Sequence, residues 1–264
     1  EEYNITLTPD DPGFVETGLA SVNTKKSIYL PGEPAEILMV VLDRNGYLVS
    51  GAEVTLEVMG PAGSVSHYTT SEKSVTETSS GIYLAMHEKT NEEGIYTLLV
   101  TARSQSVDSK MMSAFEVSSD YPFDILRDVP VTVDPWQEPF SSKIRLVSRS
   151  SVGGSGLFDF TEVLPSDFIV TDSGGADVIV IDGKKLLIWR GVSNNTVVGY
   201  SVQLPLVTPE LYSLGPSFID YYVDSKNSTE STESTETVEF RFYEVRPWYL
   251  AADPVYSTGV ANVS

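Results

Sequence analysis

From residue 24 onward the chain repeats one pattern: short apolar or alternating runs, each closed by a turn. Ala52, Val54, Leu56 and Val58 alternate with Glu53, Thr55 and Glu57, the period of two that gives a strand one dry and one wet face. Residues 36–42 are instead a nearly continuous apolar run, of a length that suits a buried strand. Gly81-Ile82-Tyr83 and Gly94-Ile95-Tyr96 open two further strands, and Ala114-Phe115-Glu116-Val117 reads as a closing one. Asp43-Arg44-Asn45-Gly46 predicts a tight turn in which Asn-Gly supplies the positive φ values. Asp182-Gly183, between Val178-Ile179-Val180-Ile181 and Leu186-Leu187-Ile188-Trp189, is the strongest hairpin signal in the chain. No segment has a helical period. The expectation is an all-β protein of two immunoglobulin-like β-sandwich domains in tandem.

The breaks in this pattern divide the chain. Residues 1–22 are polar, interrupted by Asp10-Asp11-Pro12-Gly13, and are expected to be an extended segment that serves as an edge or donor strand. Residues 23–118 form the first sandwich. Prolines 122, 130, 135 and 139 then mark a stiff connector or edge strand. Residues 119–256 hold the second sandwich, with a flexible loop at Gly153-Gly154-Ser155-Gly156, and residues 257–264 are a tail. The Ser/Thr/Glu run at 225–237 has nothing to bury and predicts a disordered insert.

Charge and composition narrow the function. The formal net charge of −20 over 264 residues repels phosphate backbones, so nucleic acid is not an expected partner. The chain has no cysteine, which removes disulfides, thiol catalysis and zinc clusters. The start, Glu1-Glu2-Tyr3-Asn4, lacks the basic and apolar regions of a signal peptide. No run approaches the roughly 20 apolar residues of a spanning helix. A mature or trimmed ectodomain, with no transmembrane segment of its own, is the expectation.

Candidate chemistry is sparse. Asn4, Asn194, Asn227 and Asn262 each head an Asn-X-Ser/Thr sequon and are the predicted glycosylation sites. His67 and His87 are the two histidines, without a G-x-S-x-G motif to accompany them, and are expected at the surface. Asp172 and Asp177 flank Ser173-Gly174-Gly175, and Asp10-Asp11 is a second acidic pair; these are the Ca²⁺ candidates, although no EF-hand spacing surrounds them. Trp189 is expected in the core, Trp248 as a packing anchor beside Arg246, and Trp136 as an interdomain contact or an exposed sugar-stacking ring. No catalytic residue or other cofactor site is predicted, and the expectation is that the protein is not an enzyme.

Two stretches resemble known modules. Leu30-Pro31-Gly32-Glu33, Val41-Leu42-Asp43 with Asn45-Gly46, Val49-Ser50-Gly51-Ala52-Glu53-Val54 and Glu93-Gly94-Ile95-Tyr96 resemble the immunoglobulin-like and macroglobulin-type modules of surface proteins. Leu164-Pro165-Ser166-Asp167-Phe168, Ile188-Trp189, Tyr200, the run from Pro209 to Pro216, Glu244-Val245-Arg246-Pro247-Trp248 and Ala251-Ala252-Asp253 resemble a β-sandwich module of very large surface proteins of archaea and candidate-phylum bacteria. Leu164 stands where that pattern has Val, and Pro247 interrupts its last motif. The resemblance implies location and architecture only, an extracellular or cell-surface β-sandwich protein. With no catalytic site predicted and with sheet edges that can accept a strand, the expectation is a structural or adhesive protein, such as a subunit of a filament or surface layer, that meets neighbouring copies or other surface proteins through those edges. The alternative is a glycan-binding accessory module of a larger surface protein.

Overall fold

The computed structural model describes residues 17–137, 139–149, 156–229 and 232–253. The first nine strands are β1 (Leu19–Thr24), β2 (Ile28–Tyr29), β3 (Ala35–Leu42), β4 (Glu53–Met59), β5 (Val65–Thr69), β6 (Val75–Ser79), β7 (Ile82–His87), β8 (Gly94–Arg103) and β9 (Asp108–Val117). They form a four-stranded sheet, β1-β3-β7-β6, and a five-stranded sheet, β2-β9-β8-β4-β5. With β1, β3, β4, β6, β7, β8 and β9 as strands A to G, the sheets are A-B-E-D and G-F-C, the immunoglobulin arrangement. The chain changes sheets between β1 and β2, and β2 pairs in parallel with β9. Alternation decides what meets inside: Ile37, Met39 and Val41 of one sheet pack against Val54, Leu56, Val58, Leu98 and Val100 of the other.

Twelve further strands follow: β10 (Phe123–Asp128), β11 (Thr132–Val133), β12 (Phe140–Ser148), β13 (Phe158–Pro165), β14 (Ile169–Asp172), β15 (Asp177–Ile181), β16 (Lys184–Val192), β17 (Val197–Gln203), β18 (Leu211–Leu214), β19 (Phe218–Thr229), β20 (Thr232–Tyr243) and β21 (Trp248–Ala252). One sheet is β10-β12-β17-β14, its facing sheet is β15-β16-β13-β19-β20, and β11-β21-β18 forms a third. A second core, separate from the first, gathers Ile125, Ile144, Phe160, Phe168, Leu187, Trp189, Tyr200, Tyr212 and Leu250. The protein is all-β, built from immunoglobulin-like sandwich layers.

Several expectations need correction. The segment assigned to an extended N-terminus enters the first sheet at Leu19, where residues 19–24 pair antiparallel with 37–42. Residues 19–22 therefore belong to an edge strand of their own sheet, as one of the two expectations had it, and are not a donor strand; residues 1–16, with Asn4, Asp10 and Asp11, lie outside the described residues. The stretch read as a connector or edge strand is the latter, since β10 and β11 are both outer strands of their sheets. Within the 225–237 run, expected to be disordered, the described residues of β19 and β20 pair out to Thr229↔Thr232. A ladder uses backbone groups alone, and β-branched Thr suits it without a core to bury. At the first turn only Gly46 has positive φ, +87°, while the Asp43 carboxylate closes it by accepting from the Asn45 and Tyr47 amides at 2.8 and 3.0 Å. The Asp182-Gly183 turn has φ of +50° and +72°, the type I′ geometry a two-residue hairpin needs. The Gly153-Gly154-Ser155 part of the loop, Asn262 and residues 257–264 lie outside the described residues.

Candidate functional site

The polar chemistry of this protein is concentrated inside the second core and at the seam between the two cores. On β13, Phe158, Phe160, Glu162 and Leu164 share one parity, and all are buried. A glutamate at a core-facing position of a central strand must be paired. Arg127 stands at the equivalent inward position of β10, after Phe123 and Ile125. Its guanidinium reaches Glu162 Oε1 at 2.6 Å and Oε2 at 2.9 Å, and Glu244 Oε2 at 2.7 Å. Ser217 donates to Glu162 through its hydroxyl and to Glu244 through its amide, and the Tyr200 hydroxyl donates to Glu162 Oε1 at 3.2 Å. Burial works against the charge on Arg127, but the two carboxylates outweigh it and hold the guanidinium firmly protonated. Burial and then Glu162 raise the Tyr200 phenol, so it stays a neutral donor. Gly215 completes the cradle: its φ is +87°, and a Cβ there would lie 3.1 Å from Glu244 Oε2 and 3.3 Å from an Arg127 nitrogen.

The bend between β20 and β21 carries the chain from the cluster to the seam: Glu244 bonds Arg127, and two residues on Arg246 reaches the first sandwich. Arg246 donates to the Thr24 carbonyl and to Thr24 Oγ1, and its guanidinium lies 5.5 Å from the Trp248 ring. Burial pulls its pKa down to about 10, against the pull of Glu244 in the other direction. Trp248 is itself fixed by an N–H bond to the Pro130 carbonyl. Next to it, the Asn23 side-chain amide pairs with the backbone of β21 as a strand residue would: it donates to the Tyr249 carbonyl and accepts from the Tyr249 N–H, both at 2.7 Å. Beyond the reach of the short β11, Asn23 satisfies backbone groups that would otherwise be buried without partners. An apolar patch continues the seam, where Val40 and Leu42 of β3 meet Ala251 of β21, flanked by Leu19, Val131 and Leu211.

The residues singled out from sequence fall mostly elsewhere. Asp172 accepts from the Gly174 amide at 2.9 Å, and Asp177 is held by Arg190 at 3.1 Å. Among the described residues no three His, Asp or Glu side chains gather as a metal ion would need. Asn194 is exposed in the β16–β17 turn, with its Oδ1 accepting from the Ser148 N–H at 2.8 Å. Asn227 lies on β19 opposite Ser234, in the hairpin and not in a loop. Trp189 and Trp248 are buried; Trp136 is 45 % exposed and so is not an interdomain packing residue. A groove of about 610 Å³ beside β4 and β6 is lined by Glu53, Glu77 and Lys73. Burial opposes the ionised form of Glu77, but hydrogen bonds from the Gly81 amide, Ser50 and the Gly51 amide lower its pKa overall, so this carboxylate is a turn clasp and a poor general acid.

His67 is at the surface, but His87 is not. His87 is buried among Tyr68, Tyr96 and Phe115. Its Nε2–H donates to the Lys89 carbonyl at 3.1 Å, which makes Nδ1 the acceptor for the Tyr68 hydroxyl at 2.8 Å. Burial, the largest effect, lowers its pKa below the ordinary 6.5. The unfolded chain therefore binds a proton at His87 before the folded one does, so stability should fall as the pH drops through about 6.5. Urea titrations of wild type and His87→Phe between pH 5 and 7 check this: the variant is expected to lose that part of the slope, and an unchanged slope would contradict it.

Arg127, Glu162 and Asn23 were missed by sequence reading. For Glu162 the signal was present, as a single charge at a core-parity position in Phe158-Asp159-Phe160-Thr161-Glu162-Val163-Leu164.

No family model matches the chain, and no curated protein matches it. Solved structures similar to it include trypsin-activated alpha-2-macroglobulin from Escherichia coli, at TM-score 0.36 and 11 % identity over 92 % of this chain and 16 % of that one. A Salmonella alpha-2-macroglobulin mutant gives TM-score 0.34 and 12 % identity over 92 % of this chain and 15 % of that one. The Yersinia pseudotuberculosis adhesin InvE gives 0.30 and 13 % over 86 % and 60 %. The chain thus spans less than two thirds of the length of each.

Proposed function

We propose that this chain is a non-enzymatic, extracellular structural or adhesive unit: two immunoglobulin-like sandwiches, divided near residue 118, locked into one stiff spacer of a cell-surface protein. The observation that carries this reading is the seam, where Asn23 and Thr24 of the first sandwich are bonded to Tyr249 and Arg246 of the second. Polar investment of this kind goes into holding two bodies at a fixed angle, as a load-transmitting or display protein needs; a linked pair of independent domains has no use for it. The resemblance of residues 123–254 to modules of archaeal and candidate-phylum surface proteins supports the location, including a place in a filament or surface layer. The exposed Asn194 sequon supports it as well.

Immunogold labelling of intact cells with antibody to this chain tests the location. Label on unpermeabilised cells is expected; label seen only after permeabilisation would refute it. In the same material, Asn194→Gln is expected to remove one glycan mass in intact-protein mass spectrometry, and an unchanged mass would show that Asn194 carries none.

A further inference from the structure

Among the described residues, strand β15 ends its sheet, with β16 as its partner on one side and no strand on the other. All five of its residues are exposed, on both faces: Val180 at 62 %, Ile181 at 50 %, Val178 at 44 % and Ile179 at 37 %. Natural sheet edges are usually blunted by lysine, proline, a bulge or a covering segment. β15 has no lysine or proline, and its pairing with β16 is regular from Asp177↔Ile188 to Ile181↔Lys184. The opposite edge of the same sheet, β20, by contrast carries Glu239 and Arg241.

The hairpin fixes which backbone groups are free. In a two-residue type I′ hairpin the flanking pair, here Ile181 and Lys184, exchanges both hydrogen bonds. Alternation then turns the N–H and C=O of Ile181, Ile179 and Asp177 toward β16, and those of Val180 and Val178 toward the open side. We propose that β15 pairs antiparallel with β15 of a second copy about a two-fold axis through Ile179, giving a closed dimer whose central sheet runs across both molecules. In that register each Val178 faces the partner copy's Val180, and the four outward groups on each strand form four reciprocal bonds. Ile179 faces its own copy as a non-hydrogen-bonded pair, where side chains come nearest. This direction keeps the two Asp177 side chains at opposite ends of the pairing, whereas parallel pairing would set them side by side. The contact is isologous, as a two-fold interface must be. Five residues a side place it at the small end of specific interfaces, so the dimer is weak and reversible. This inference is independent of the cell-surface reading: the edge would pair in the same way in any compartment.

Sedimentation velocity of the 264-residue chain from micromolar to millimolar concentration, with three variants, tests it. Wild type is expected to shift reversibly from monomer to dimer. Val180→Pro removes an outward N–H without touching the β16 ladder and is expected to weaken the dimer by about tenfold or more; Val180→Thr keeps the N–H and should dimerise as wild type. Because the chain has no cysteine, Ile179→Cys is a clean probe of register: mild oxidation with diamide should give a covalent dimer, and Val197→Cys, on the other sheet, should not. A urea curve for each variant separates lost pairing from lost fold, and Ile179→Cys reports the register even if Val180→Pro unfolds. A wild type that stays monomeric, an oligomer indifferent to Val180→Pro in its folded form, open-ended growth beyond the dimer, or equal cross-linking at both cysteines would overturn the proposal.

Discussion

Arg127→Ala is expected to destabilise the fold by about 3–5 kcal/mol, because it leaves Glu162 and Glu244 buried without the cation that neutralises them. The Arg127 and Glu162 side chains are 2 % and 0 % exposed, so solvent cannot take over the lost contact. Glu162→Gln should cost less, since the amide keeps the shape and one acceptor for Arg127. The control is Arg190→Ala. Arg190 also bridges two carboxylates, Asp159 and Asp177, but it is 61 % exposed, and its loss should stay within about 1 kcal/mol. Urea denaturation of the three variants at one pH checks the order. Equal losses for Arg127→Ala and Arg190→Ala would mean that the interior cluster is not what organises the second core.

The second large effect is expected at the seam. Val40 is 1 % exposed on the face of β3 that points away from its own core and toward β21. Val40→Asp forfeits the burial of that valine, roughly 1.5–3 kcal/mol, and places a carboxylate where nothing pairs with it. Opening the seam relieves the second cost without disturbing either core. The variant is therefore expected to keep its β-sheet circular dichroism while a single thermal transition separates into two. Met59→Asp, at a site 49 % exposed, should leave the transition single. A Val40→Asp protein that melts in one step at the wild-type temperature would contradict the account.

β3 also shows how far the sequence can be read. Its continuous apolar run stood apart from the alternation of β4, and the structure gives the reason: Ile37, Met39 and Val41 face the first core, while Leu38, Val40 and Leu42 face the second sandwich. A strand dry on both faces announces a second layer, but not what that layer is. The motif residues of the second half were legible as a group, and they turn out to share one physical task. Phe168, Trp189 and Tyr212 fill the core, Gly215 and Glu244 cradle Arg127, and Arg246 and Trp248 hold the seam. What sequence did not reveal was the partner of each charge. Arg127 and Glu162 are 35 positions apart, and Arg246 and Thr24 are 222 apart; periodicity assigns a face to each residue but cannot bring faces together across that distance. His87 was misread for a related reason. Its neighbours Glu88 and Lys89 made the segment look wet, although His87 itself has the core parity of Tyr83 and Ala85.

The claim that the two sandwiches form one stiff body is tested most directly by the distance between them in solution. With no native cysteine to interfere, Val65→Cys on β5 and Val197→Cys on β17, 48 % and 51 % exposed, accept spin labels on the two sandwiches for pulsed electron-electron double resonance. A single narrow distance distribution that broadens in Val40→Asp is the predicted result. A broad or multiple distribution in the wild type, unchanged by Val40→Asp, would contradict it.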